Sequence, residues 1–186
     1  MRISCPVFVC DEVALEKKLR FLKCLVCPFC KRPGTLNRHS RVQGNDPESY
    51  QGLLARGQRA FCSNRGRRAG CGRTFPILLC RVLPRHTFTA PLLWKALKGL
   101  LNGFSIKAAW EAANLSMALD SFYHLLQRLR RRLDIVRVTL SALSAPPSSS
   151  ARDPLVQTLE HLQWVFGSPL CPPAAFQLRL QRPLMG

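Results

Sequence analysis

Carboxylates are scarce in this chain. Its 186 residues carry 10 Asp and Glu against 28 Lys and Arg, a net charge of +18 and a pI near 10.6. A balance so far from zero excludes an acidic or electrically neutral surface and implies a polyanionic partner. Long apolar runs are missing too, and no stretch reaches the length of a membrane span. The first apolar run, 3–10, contains Pro6 and stops at Asp11 and Glu12 without a small-residue cleavage site, so it does not read as an export signal. Cysteine is not scarce, but nine is an odd number, and the spacing is that of metal ligands rather than of a secreted disulfide framework. These absences place the chain in a reducing cytoplasm in association with a nucleoid, and away from membranes.

The charge is not spread evenly. Residues 21–86 hold 13 basic and 2 acidic side chains, net +11, and residues 87–143 hold 8 and 3, net +5. Both ends are nearly neutral. The segment with the highest charge also holds the paired cysteines: Cys27-Pro28-Phe29-Cys30, then Cys62 and Cys71 followed by Gly72-Arg73-Thr74-Phe75. Zn²⁺ takes four tetrahedral nitrogen or sulfur ligands, and two thiol pairs from separate strand ends supply them, so Cys27, Cys30, Cys62 and Cys71 are the candidate ligands of a zinc ribbon. The first pair has ordinary knuckle spacing. Eight residues separate the second pair, where about two to four are usual, so it must close through a loop, with Gly66, Gly70 and Gly72 supplying backbone freedom. Cys24 and His39 are alternative ligands. Buried, reduced thiols are the alternative to a metal site, and Cys5 and Cys10, outside any paired spacing, read as small core residues.

The pattern predicts an α+β chain: a small zinc-ribbon β unit, a helix-turn-helix three-helix unit and a C-terminal helix. Residues 1–20 read as a strand over 3–10 and a helix over 11–22. Residues 21–86 read as the ribbon, with strands at 22–26, 35–42, 58–62 and 74–79 and a chain break at Asn45-Asp46-Pro47. Large apolar residues are so few there that metal is expected to supply the folding energy. Arg56, Arg59, Arg65, Arg67, Arg68 and Arg73 cluster around the second pair, where guanidinium suits bidentate phosphate contact; a solvated face is the alternative.

Residues 87–143 read as three helices. Thr89 and Pro91 start the first, Asn102-Gly103 ends it, and Ser105 caps a second over 106–113. Ser116 caps a third running to Leu140, its apolar stripe formed by Leu119, Phe122, Leu126, Leu129, Leu133 and Val136. In a helix-turn-helix the start of the last helix meets the major groove, here Ser116, Met117, Ala118, Asp120 and Ser121, while Arg128 and Arg131, with their basic neighbours, grip backbone. A three-helix bundle without groove contact is the alternative. Residues 144–152 form a Pro/Ser-rich flexible linker. Residues 153–186 hold a helix from Asp153-Pro154 to Gly167 and an extended or disordered tail that offers Phe176, Leu178 and Leu180 to a protein partner.

Together, CPFC at 27–30, FC and GCGRTF within 61–75, and LNGFSIKAAW at 101–110 resemble the N-terminal DNA-binding region of zinc-ribbon transposases of bacterial insertion sequences, over about two-thirds of the chain. The resemblance implies Zn²⁺ on the four named cysteines and DNA as partner. A complete transposase of that kind adds three carboxylates that hold two Mg²⁺. Here only Asp153 and Glu160 follow Asp134. The sequence therefore reads as a zinc-dependent DNA-recognition module tied to a mobile element. A nuclease or transposase using Asp120, Asp134, Asp153 or Glu160 is one alternative, and an RNA-binding ribbon protein is the other.

Overall fold

The computed structural model describes residues 6–46, 52–66, 69–167 and 170–185. The chain is α+β: a four-stranded sheet and, after it, a layer of helices. Strands β1 (Val7–Val9), β2 (Leu36–Asn45), β3 (Leu53–Cys62) and β4 (Thr74–Leu79) lie in the order β1-β4-β3-β2. β1 runs parallel to β4, and the other pairs are antiparallel. Alternation in β4 turns Phe75, Ile77 and Leu79 to one face, as the period of two requires. Helix α1 (Glu12–Arg20) covers that face with Leu15 and Leu19. The Asp11 carboxylate caps α1, accepting from the Ala14 amide at 2.7 Å, and basic residues fill its last turn.

Several expectations are corrected here. The strand expected over 3–10 spans Val7–Val9 within the described residues, which exclude Cys5, and it joins the same sheet as the cysteine-bearing strands. β1 and α1 contribute Phe8, Val9, Leu15 and Leu19 to a core shared with Leu36, Ala60, Phe75, Ile77 and Leu79, so the cysteine segment does not depend on metal alone for its packing. The strand expected over 22–26 is a 3₁₀ turn, Leu22–Cys24, closed by the Cys24 and Leu25 amides on Phe21 and Leu22. Leu22 is buried as the anchor of that turn. Cys10 is exposed, its thiol 3.3 Å from the Asp11 carboxylate, and is not a core residue. The expected break at 45–47 falls at the end of β2, with Pro47 outside the described residues.

The helices are α2 (Ala90–Leu101), α3 (Ile106–Ala113), α4 (Leu119–Arg130), α5 (Leu133–Ser141), α6 (Pro154–Phe166) and α7 (Pro172–Leu180). Ser105 caps α3 through the Ala108 amide at 3.2 Å, and Asn114, at φ 50°, ends it in the left-handed conformation that Asn tolerates. Gly99 lets α2 and α3 approach closely, since a β-carbon there would lie 2.8 Å from that of Ala109. Ser116 does not cap α4; Ala118 stands at that position, without a side-chain acceptor. The single long third helix is in fact two. The Arg132 amide bonds Leu129 O at 2.9 Å, a tightened turn that separates α4 from α5. Leu126, Leu129, Leu133, Val136 and Leu140 stay buried across the break, so apolar spacing could not reveal it.

The tail is not extended. Pro172 and Pro173 sit in the first turn of α7, where a missing N–H is tolerated. Phe176 packs edge-on against Phe166 at 6.2 Å, and Leu184 and Met185 are buried. The amide of Gln177, fully buried, donates to Cys80 O at 2.7 Å and to Val82 O at 2.9 Å. Gln181 completes the edge of β1: its Oε1 accepts from Phe8 N at 2.8 Å and its Nε2 donates to Phe8 O at 3.1 Å. The C-terminal segment therefore ties the helical layer to the sheet through side-chain amides. Gln177→Leu is expected to cost about 1–3 kcal/mol, because it strands two buried carbonyls; an unchanged melting temperature by circular dichroism would contradict that role.

Candidate metal centre and arginine surface

The first cysteine pair is set by a backbone turn. The Lys31 amide bonds Cys27 O at 3.0 Å, the Cys27 amide bonds Arg32 O at 3.1 Å, and Lys31 takes φ 59° to close the knuckle. The second pair is set by the sheet. Cys62, the last residue of β3, bonds Arg73 O through its amide and Gly72 N through its carbonyl, each at 2.9 Å. That ladder brings Cys71 alongside Cys62 despite the long loop. The loop folds back on itself through Gly70 N to Ser63 O at 3.0 Å, and Ser63 N reaches Thr35 O at 2.8 Å. Gly72 supplies φ 70°, and Gly70 supplies space: a β-carbon on Gly70 would overlap the Ser63 carbonyl and lie 2.8 Å from Cys62 Sγ.

The four sulfurs converge, all within 4.8 Å of one another. Cys27 and Cys71 are 3.8 Å apart, and Cys30 and Cys62 are 3.7 Å apart. A tetrahedron with metal–sulfur bonds of about 2.3 Å has edges of about 3.8 Å, whereas a disulfide needs about 2.05 Å. The donor set therefore fits a tetrathiolate metal ion, and these four residues can hold one. Cys24 and His39 lie outside the group.

The protons on these thiols are held unequally. Burial pushes Cys27 up to about 12 and raises Cys71 as well. Burial acts on Cys62 in the same direction, but the Thr35 hydroxyl at 3.2 Å and the Cys71 amide at 3.2 Å outweigh it and bring Cys62 down to about 7. Hydrogen bonds to the charged form favour it, which offsets the cost of burying a thiolate at Cys62. Gly70→Ala is expected to weaken metal affinity by about tenfold, since its methyl group must displace the Ser63 carbonyl or that sulfur. Chelator competition reads the loss, and an unaltered affinity would contradict the placement of the loop.

The arginines named from the sequence do not form one patch. Arg59 is exposed on β3 and donates to Ser40 Oγ at 3.2 Å. Arg73 lies at the metal end, over the Phe29 ring at 5.2 Å, and alternation places it on the opposite face of the sheet from Arg59. Arg65 is exposed in the loop, and Arg67 and Arg68 lie outside the described residues. Arg56 is structural, its guanidinium donating to the carbonyls of Asn45, His86 and Thr87. Sequence reasoning missed Arg41, exposed on β2, and Arg85, exposed at φ 67°.

In the helical layer Ser116 and Ser121 are exposed and Met117 is half-buried against the core, its carbonyl accepting from Trp110 Nε1 at 2.8 Å. The basic run splits. Arg130 pairs with Asp153 at 2.7 Å and Arg132 donates to Pro183 O at 3.3 Å, whereas Arg128 and Arg131 are exposed and make no ion pair among the described residues. Burial and, after it, the charge of Arg128 hold His86 below the ordinary histidine value.

Among the described residues no helix is long and apolar enough to cross a membrane. Comparison with protein-family models, curated proteins and solved structures finds no match to this chain.

Proposed function

We propose that the chain is a zinc-dependent DNA-binding protein that acts by positioning, in the manner of the recognition region of a zinc-ribbon transposase. The observation that supports this reading best is the convergence of four thiols at the end of the sheet where Arg65 and Arg73 stand. Zn²⁺ on Cys27, Cys30, Cys62 and Cys71 would supply a cross-link between knuckle and loop, fixing Arg65 and Arg73 at one end of the sheet. Zinc suits the site because it favours tetrahedral thiolate sets. Arg59, Arg65, Arg73, Arg128 and Arg131 bind phosphates, and Arg67 and Arg68 belong to the same loop. The α3-turn-α4 unit presents Ser116, Met117 and Ser121 as a helix-turn-helix presents its groove-reading residues.

One carboxylate named for the nuclease alternative has a structural use. Asp153 accepts from the Leu155 amide at 2.8 Å and pairs with Arg130, so it serves as a helix cap. Anisotropy with labelled duplex DNA tests the reading. The expected result is binding that Arg59→Ala and Arg128→Ala each weaken severalfold and that structured RNA competes for poorly. Preferential capture by the RNA, or indifference to both substitutions, would count against it.

A further inference from the structure

The sheet has a second face that the metal centre does not use. Thr74, Pro76 and Leu78 point there, opposite Phe75, Ile77 and Leu79 beneath α1. Register places Arg59 beside Pro76 and Phe61 beside Thr74, so both side chains stand on this face. A β-bulge between Arg38 and Arg41 lets consecutive β2 residues reach it. The His39 ring lies 6.2 Å from that of Phe61, and the Ser40 hydroxyl accepts from Arg59. Segment 82–86 crosses the far end of the face and leaves a groove of about 440 Å³, floored by Val42, Pro76 and Leu78 and rimmed by Arg59 and Arg85.

Three features narrow the occupant. Arg59 and Arg85 make no ion pair among the described residues, and the neighbouring acids Glu12 and Glu16 sit on α1 across the sheet, paired with Arg81 and Arg38. These arginines give the face a positive charge that fits a polyanion. Phe61 is half-buried and His39 exposed, leaving aromatic area beside the arginines. A duplex hides the faces of its bases, so such rings have a stacking partner only where bases are unpaired. Arg85 takes a left-handed backbone that is strained in a residue other than Gly, and the neighbouring His86 and Thr87 carbonyls are pinned by Arg56. Such strain persists where surrounding contacts impose it, and it gathers at binding sites.

We propose that this face binds single-stranded DNA. An unpaired base stacks on Phe61 and His39, and the phosphates run past Arg59 along the groove toward Arg85. The inference rests on the DNA-binding reading above and adds the strand state that the sheet recognises.

The test compares the metal-loaded full-length chain on a single-stranded oligonucleotide containing 2-aminopurine and on a blunt duplex. Binding is expected to quench 2-aminopurine in the single strand by stacking. His39→Ala and Phe61→Leu should each weaken single-strand affinity by about tenfold and diminish the quench, with duplex affinity unchanged within twofold. Because Phe61 adjoins Cys62, metal content is checked in Phe61→Leu; His39→Ala, on an exposed ring, carries the test if that variant loses metal. Arg85→Ala should lower single-strand affinity without restoring fluorescence. Duplex binding with no single-strand binding, equal losses on both substrates in His39→Ala, or tighter binding of single-stranded RNA of the same sequence would overturn the assignment while leaving nucleic-acid binding in place. Failure to bind either DNA would overturn both readings.

Discussion

Stripping the metal with a strong chelator is expected to unfold one end of the sheet and to spare the rest. The described residues of 24–35 and 63–73 contain no strand or regular helix beyond the single 3₁₀ turn that ends at Cys24. What orders them is the cysteine group and a few backbone bonds, among them those made by the amides of Cys27, Lys31, Ser63, Gly70 and Gly72. Those amides should lose hydrogen-exchange protection, while β1, α1 and the central part of β4 keep theirs through the core of Phe8, Leu15, Leu19 and Ile77. Structural zinc contributes on the order of 10 kcal/mol in small fingers. Even about 4 kcal/mol of coupling would lower the melting temperature of a chain this size by about 8–16 °C. Cys27→Ser and Cys71→Ser should each reproduce the loss, since a tetrathiolate site tolerates no missing member well. A melting temperature indifferent to chelator, with protection unchanged at those amides, would contradict a structural ion.

Duplex binding is expected to fall steeply with salt. Four to six phosphate contacts, as the unpaired arginines allow, give a log–log slope of about −4 to −5 and a loss of roughly 10²–10³ in affinity between about 50 and 200 mM salt. Arg128→Ala and Arg131→Ala should each shallow that slope by about one, whereas Arg130→Ala, whose guanidinium is committed to Asp153, should shallow it less. A flat dependence, or equal effects from all three, would contradict phosphate contact by this pattern of free and paired arginines.

How much of this was legible in the sequence follows from what each feature depends on. The four cysteines could be read because ligand chemistry fixes residue type and approximate spacing, and glycines flagged a loop able to span the long second interval. Helix starts at Ser105, Pro91 and Asp153 were local signals and lie where the pattern put them. The membership of β1 in the sheet was not legible, because parallel pairing of Val7 with Ile77 is set by contacts far apart in the chain. The tail was misread through its prolines: Pro172 and Pro173 break a helix interior but open a helix well. Arg56 and Arg59, three residues apart, have opposite uses because a bulge near Val42 turns one toward the connection and leaves the other exposed on the open face. The nearness of His39 and Phe61 depends on register and on another bulge, neither of which composition encodes.

Cobalt(II) titration of the metal-free chain tests the central claim most directly. One equivalent should saturate a spectrum with the intense visible bands of tetrahedral cobalt and strong near-ultraviolet thiolate charge transfer, displaced stoichiometrically by Zn²⁺ and absent in Cys27→Ser and Cys71→Ser. Weak octahedral bands, no saturation at one equivalent, or a spectrum that survives both substitutions would mean that these four thiols do not form a metal site.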